Sequence, residues 1–156
     1  MLALTWYDWF KAFNVIAAVL WVGGGVMLTT IGLLTLRVKD PRALASFGQQ
    51  AAFLGERFFA PASLLVLAFG FAMMENGSLP YDLIWVQIAL VGWGVTALVG
   101  FTFISPNAAR ISRLIKERGP EDAEVQARIK KVLYVARFDA ALLLFIVFDM
   151  TAKPWS

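Results

Sequence analysis

Polar side chains within long apolar stretches are the residues of this chain that can do chemistry. They are Asn14, Trp21, Arg57, Gln87, Arg137, Asp139 and Asp149. Ionisable groups in such surroundings handle protons or ions, or pair with one another. These residues are therefore candidates for a ligand site or an ion path.

Asp139 has two open interpretations. It can form an ion pair with Arg57, with Glu56 and Arg137 nearby, or it can belong to a site that handles protons or ions. Asn14 is expected to donate a hydrogen bond to a neighbouring helix, with ligand binding as the alternative.

A second polar group can form near the opposite end of the apolar stretches. Gln87 and Asp149 can join Asn14 in an outer polar vestibule. The competing interpretation is that Asp149 is simply solvated at the membrane interface.

The residue inventory argues against several kinds of chemistry. The 156 residues include no cysteine and no histidine, which excludes disulfides, thiolate metal sites and thiol catalysis. No glycine-rich phosphate loop occurs, and no nucleophile has a histidine base. We expect no catalytic residue and no metal site, and an enzyme is the less favoured class.

The composition is that of a membrane protein. Hydrophobic residues make up 60% of the chain and charged residues only 16%, against about a quarter in soluble domains. Uncharged or sparsely charged stretches predict membrane spans at about 12–36, 58–76, 83–106 and 132–152. Span 1 lacks the basic start and short apolar core of a signal peptide, so it is read as permanent. The predicted fold is all-α: one integral membrane domain, 1–156, a four-transmembrane-helix bundle with up-down topology.

Basic residues predict the orientation. Of the 14 lysines and arginines, four lie in 37–57 and seven in 110–131, the two connectors on one side. Basic loops stay in the cytoplasm, so both termini are expected outside a bacterial inner membrane. The same rule explains the basic connectors without nucleic acid. An outer aromatic belt is predicted to contain Trp6, Tyr7, Trp9, Tyr81, Trp85 and Trp155.

Helices 2 and 4 are expected to project beyond the membrane as polar stems. Asp40-Pro41 is typical of a helix start, and this helix is predicted to run to Met74 with a kink at Pro61. Gly119 can end the third helix and Pro120 can begin the fourth, to about Thr151. The two helical hairpins resemble each other, through tandem duplication or chance.

Small residues recur along helical faces. The set is Gly23, Gly24, Gly25, Gly32, Gly92, Thr96 and Gly100. Such strips let helices pack closely within one bundle, and a dimer face or narrow ligand cleft is the alternative. Asn14 and Trp21 are seven residues apart and are expected on one face of helix 1.

Five segments carry a resemblance that covers nearly the whole chain. They are YDWFKAFNVIAAVLWVGGG, FFAPASLLVL, ISPNAARI, ERGPEDAEVQARIKK and RFDAALLLFIVFDM. The chain resembles a family of small bacterial four-helix inner-membrane proteins, a domain of unknown function. This resemblance implies a topology and no activity.

The first span is also similar to that of HemJ-like protoporphyrinogen oxidases and CopD-like membrane proteins. The shared pattern is Trp-x-Gly-Gly, here Trp21 to Gly24. In HemJ-like proteins a histidine associated with haem occupies the position of Asn14. An asparagine cannot replace that axial ligand, so we expect no haem and no other cofactor.

Three functions follow as hypotheses. The leading one is a non-enzymatic, homo-oligomeric membrane bundle that binds or passes a small solute or ion, with the lipid bilayer as its other partner. The alternatives are a HemJ-like membrane oxidoreductase and an accessory subunit of a membrane complex.

Overall fold

The computed structural model describes residues 4–154, and within this range the chain is entirely helical, with no strand. Its four helices are α1 Trp6–Val38, α2 Pro41–Asn76, α3 Ile84–Arg118 and α4 Ala123–Ala152. The predicted all-α class is confirmed. Each helix extends beyond the apolar stretch from which it was predicted.

Side-chain caps explain where helices begin. The Thr5 hydroxyl accepts a hydrogen bond from the Asp8 N–H at 3.3 Å, and the Asp8 carboxylate accepts one from the Thr5 N–H at 2.9 Å. Asp40 caps α2 and Pro41 is its first residue, as predicted.

The start of α4 differs from the prediction at Pro120. Asp122 caps this helix and accepts hydrogen bonds from the backbone N–H groups of Glu124 and Val125. Helical structure therefore begins three residues after the proline. Gly119 ends α3 with a φ of +87°, a conformation that favours glycine.

Three of the helices contain a π-helical turn of five residues. These turns are Val19–Gly23 in α1, Gly55–Phe59 in α2 and Gly100–Ile104 in α3. In α2 and α3 the cause is proline: Pro61 and Pro106 each follow the first glycine of their turn by six residues. A proline cannot donate to the carbonyl one turn earlier, and a widened turn relieves its clash with that turn.

Contacts between α1 and α2 show that these helices run antiparallel. Tyr7 lies against Gly77 near one end, and Gly32 lies against Phe47 near the other. The helices α3 and α4 are likewise antiparallel, with Lys153 lying over the Trp85 ring at 4.4 Å. Successive helices therefore alternate in direction.

The two ends of the bundle can be named by what lies there. At the basic end, connectors 39–40 and 119–122 meet, and Arg42 forms an ion pair with Glu121 at 3.2 Å. The terminal end contains connector 77–83 and both ends of the described chain. There Met74, Trp85 and Val86 form a small buried cluster.

The largest cluster of buried apolar residues in the described chain lies near the basic end, in the polar stems of α2, α3 and α4. This stem core consists of Leu44, Ala45, Ile111, Leu114, Val125, Ile129 and Leu133. Water surrounds the stems in the predicted topology, so burial of apolar surface stabilises them directly. Closer to the terminal end, α1 and α4 share a smaller cluster of Val22, Leu143 and Ile146.

The outer surface is suited to lipid. The helices α1, α2 and α3 are each long and apolar enough to cross a membrane, and many of their large apolar side chains are exposed. The helix α4 is not among these candidates, and its apolar part includes Arg137, Asp139 and Asp149. A fourth span therefore stays a prediction.

The aromatic belt differs from the prediction at Trp85. Trp6 and Trp9 are exposed, at 72% and 47%, as a belt at the membrane interface requires. Trp85 is only 5% exposed, because it packs beside Met74 inside the terminal end. Trp155 lies outside the described residues.

Candidate functional site

A cavity of 260 Å³ lies among the four helices, between the stem core and the Val22–Leu143 cluster. Its lining comes from 21–29 of α1, 47–63 of α2, 96–111 of α3 and 129–143 of α4. All three π-helical turns contribute lining residues. Because π-helical turns often mark functional sites, their convergence on one cavity makes it the candidate site.

Small side chains account for part of the space in this cavity. Gly25 and Gly100 line it, and a Cβ built on either residue would meet no atom within 4 Å. Alanines 97, 136 and 140 line it as well. These positions leave room inside the bundle, so Gly25 and Gly100 do not have the packing role that was predicted.

The remaining predicted packing residues lie in three different environments. Gly24, Gly32 and Gly92 are in close contact with side chains of a neighbouring helix: Phe59, Phe47 and Ile146 respectively. Thr96 is buried, lines the cavity and donates to the Trp93 carbonyl at 2.9 Å. A Cβ built on Gly23 would meet no atom within 4 Å, so no helix of the described chain packs closely at this position.

Two carboxylates line the cavity, and neither Lys nor Arg does so. Asp139 projects from α4, and its Oδ1 is buried without a hydrogen-bond partner in the described chain. Glu56 belongs to the π-helical turn of α2 and is exposed. A buried, unpaired acceptor costs free energy, so Asp139 is poised to receive a donor.

The structure does not contain the predicted ion pair of Asp139. The Arg57 guanidinium lies over the Phe53 ring, with its Cζ atom 5.9 Å from the ring centroid. Arg137 is exposed, and within residues 4–154 no ion pair includes Asp139. The charged cluster between α2 and α4 therefore does not form.

Asn14 has a structural contact outside the cavity. It is 7% exposed, and its Nδ2 donates to the Val66 carbonyl at 2.7 Å. This is the predicted hydrogen bond between helices. Trp21, in contrast, lines the cavity and packs beside the Val22–Leu143 cluster. The π-helical turn Val19–Gly23 includes Trp21 and interrupts the regular periodicity on which the predicted shared face of Asn14 and Trp21 rests.

The predicted polar vestibule is absent from the described structure. Gln87 is exposed, and Asn14 contacts α2. Asp149 is 0% exposed, and neither of its carboxylate oxygens has a hydrogen-bond partner. Its burial also contradicts the alternative of solvation at the interface.

Glu56 was not predicted as a cavity residue, although the sequence contains a signal for its environment. The segments GERFFAP, 55–61, and GFTFISP, 100–106, share a glycine, a phenylalanine three residues later and a proline six residues later. Each segment is a π-helical turn followed by its proline. This shared spacing marks the two turns that flank the cavity.

A separate charged network joins α3 to α4 near the basic end. Glu124 lies within ion-pairing distance of three arginines: Arg128 at 2.8 Å, Arg118 at 3.1 Å and Arg110 at 3.7 Å. The hydrogen bond from Arg128 holds the pKa of Glu124 below its ordinary value. The network fastens the stems together and lies apart from the cavity lining.

Metal chemistry has no set of ligands in the part of the chain that the structure describes. No group of three or more Asp, Glu, His or Cys side chains comes close enough to hold an ion. What the cavity offers chemically is an apolar wall with carboxylates at two points, an arrangement for binding.

Comparison with known proteins gives one result. The family model DUF2269, described as a predicted integral membrane protein, matches residues 9–154. No curated protein and no solved structure matches the chain. The resemblance of span 1 to HemJ-like and CopD-like proteins gains no support here and stays a prediction. Since the match covers nearly the whole sequence, the chain belongs to the DUF2269 family of predicted integral membrane proteins.

Proposed function

We propose that this protein binds a small, mostly apolar molecule in the cavity among its four helices. The cavity volume of 260 Å³ carries the proposal. It lies just below the range of about 300–1,000 Å³ usual for small-molecule sites.

Packed residues at both ends of the cavity favour binding over passage. Ile111, Ile129 and Leu133 belong to the stem core and form its floor toward the basic end. Leu143, with Val22, closes it toward the terminal end. A solute crossing the membrane would have to displace these clusters, whereas a bound molecule need not. The cavity also lies within one chain, so binding does not depend on an oligomer.

Exposure of the lining residues supports entry from the side. Among the residues that line the cavity, Glu56 and Phe101 are the two that are exposed, and each belongs to a π-helical turn. The mouth of the cavity thus lies between α2 and α3. Closer to the terminal end of the bundle, these two helices are linked by a hydrogen bond that Trp93 Nε1 donates to the Ser63 carbonyl at 3.1 Å.

A four-span topology with both termini outside completes the proposal. The basic connectors support this orientation, as does the exposure of Trp6 and Trp9 at the terminal end. In this orientation the mouth lies near the inner headgroups, since Glu56 closely precedes predicted span 2. Reporter fusions at each terminus test the topology, and a cytoplasmic carboxyl terminus contradicts it.

Filling the cavity tests the binding function. Gly25→Leu puts a side chain into the cavity, and Gly23→Leu, two residues away on α1, is the matched control because both glycines have open space. Cyclohexylmethanol is titrated calorimetrically into each protein in phosphatidylcholine nanodiscs, with empty nanodiscs as background. We expect saturable binding to wild type and Gly23→Leu, and at least about tenfold weaker binding to Gly25→Leu.

Two results contradict the proposed function. One is the absence of saturable binding above the empty-nanodisc background. The other is equal binding to the Gly25 and Gly23 variants, which places the ligand elsewhere on the protein.

A further inference from the structure

We infer that the cavity selects a cation: its ligand is a lipophilic amine whose ammonium group binds beside Asp139. This inference rests on the proposed function and adds the chemical class of the ligand.

The charges around the cavity have one sign. Glu56 and Asp139 are its ionisable lining residues, and both are acids. The neighbouring Arg57 lies over Phe53 and is not among the residues that line the cavity. A cavity with only acidic groups, bounded by apolar walls, attracts cations and disfavours anions.

Two of the four hydroxyl groups in the lining, those of Ser63 and Thr96, are compatible with this preference. The Ser63 hydroxyl donates to the Ala60 carbonyl and the Thr96 hydroxyl to the Trp93 carbonyl, each at 2.9 Å. Their hydrogens are thus engaged by the backbone, and their oxygen atoms keep lone pairs for another partner. An ammonium group carries only donors and can use these lone pairs.

Among the residues that line the cavity, Asp139 has a buried acceptor that lacks such a partner. Its Oδ1 is buried and accepts no hydrogen bond in the described chain. A charge-assisted N–H···O bond from an ammonium group satisfies this atom and pairs its charge in the same step. Aromatic rings of Trp21 and Phe59 also line the cavity, and the faces of such rings attract cations.

The mouth suits the same class of molecule. A lipophilic amine in a bilayer keeps its ammonium group at headgroup level while its apolar part lies in the hydrocarbon. Glu56 is the exposed carboxylate at the mouth, beside the exposed Phe101. Glu56 receives the incoming cation first, and Asp139 holds it inside.

A pair of probes of nearly equal shape tests the inference. Cyclohexylmethylamine is charged at neutral pH, and cyclohexylmethanol is its uncharged counterpart. Both are titrated into the protein in nanodiscs of phosphatidylcholine, whose zero net charge limits adsorption of the amine to lipid. We expect the wild-type protein to bind the amine at least about tenfold more tightly than the alcohol.

Three variants locate the source of this preference. Asp139→Asn keeps the side-chain shape and removes the charge, so the amine should bind no better than the alcohol. Glu56→Gln changes an exposed residue and should reduce the preference partially while the bundle stays folded. Asp149→Asn is the matched control, because Asp149 is a buried carboxylate outside the cavity lining, and it should keep the full preference.

The failure of this inference is distinguishable from the failure of the proposed function. Equal binding of amine and alcohol to the wild-type protein overturns the cationic ligand and leaves the binding cavity standing. A preference that survives both Asp139→Asn and Glu56→Gln also overturns it. If neither the amine nor the alcohol binds saturably, the proposed function is overturned as well.

Discussion

Gly32→Ala should destabilise the bundle, because three helices meet at this position. A Cβ added to Gly32 of α1 would lie 2.8 Å from ring atoms of Phe47 in α2, and it would also press on Leu133 of α4. Carbon atoms pack best at about 3.5–4.0 Å, so the ring must move by about 0.7 Å or more. The ring packs against the stem core and is not free to move alone.

The size of the effect follows from two opposing terms. Overpacking a well-packed site costs about 1–3 kcal/mol. Replacing glycine by alanine in a helix gains about 0.8–1 kcal/mol of helix propensity. Gly94→Ala isolates the second term, because Gly94 lies in a regular part of α3 and its added Cβ would meet no atom within 4 Å. The variants should therefore differ by the overpacking cost, about 1–3 kcal/mol.

Reversible unfolding in mixed micelles, followed by circular dichroism, measures the free energy of unfolding of both variants and of the wild-type protein. Gly94→Ala should equal or exceed the wild type in stability, and Gly32→Ala should fall below Gly94→Ala. If the two variants agree within about 0.5 kcal/mol, Gly32 is not at a close helix contact and the described packing is wrong.

Two further predictions concern polar contacts away from the cavity. Asn14→Leu removes the hydrogen bond to the Val66 carbonyl and should lower the unfolding free energy by about 0.6 kcal/mol, and by no more than about 1.7 kcal/mol. Val15→Leu is the control, because Val15 is exposed. Equal losses of stability in the two variants would contradict the role of this hydrogen bond. The pKa of Glu124 is lowered on folding, so its contribution to stability is present above its ordinary value of 4.5 and is lost as pH falls through the folded pKa. Arg128→Gln should raise the pKa of Glu124 measured by carboxyl NMR titration, since the largest cause of its lowering is the hydrogen bond from Arg128; an unchanged pKa would show that this bond is absent in solution.

Local sequence signals were sufficient to predict much of the helical architecture. The cap at Asp40, the terminating Gly119 and the long apolar stretches each act through their own segment, so no tertiary information is needed to interpret them. The start of α4 was misplaced because Pro120 and Asp122 are both acceptable near a helix start, and hydrogen-bond geometry decided between them.

The cavity could be predicted only in part. Asp139 was a candidate because a carboxylate in an apolar sequence is conspicuous, whereas Arg57 was chosen as its partner because both residues lie near the same predicted membrane face. The structure gives that arginine the ring of Phe53 instead. Gly25 and Gly100 have the spacing of packing residues, and sequence does not show whether a neighbouring helix fills or leaves the space beside a glycine.

The π-helical turns were the feature of the fold that was hardest to predict from the sequence. A periodicity argument assumes an unbroken α-helix, and it placed Asn14 and Trp21 on the same side of α1. The turn at Val19–Gly23 begins between these two residues, includes Trp21 and contains no proline that would indicate it. In α2, Pro61 did indicate a kink, but not the widened turn that precedes it.

The same turns determine how chains of this family are to be aligned. A π-helical turn closes its hydrogen bonds over one residue more than an α-helical turn, so losing one residue there restores a regular helix. A single-residue gap at Val19–Gly23, Gly55–Phe59 or Gly100–Ile104 is therefore a structural event in a homologue, not an alignment error. Positions on the two sides of such a gap correspond only after the helix has been divided there.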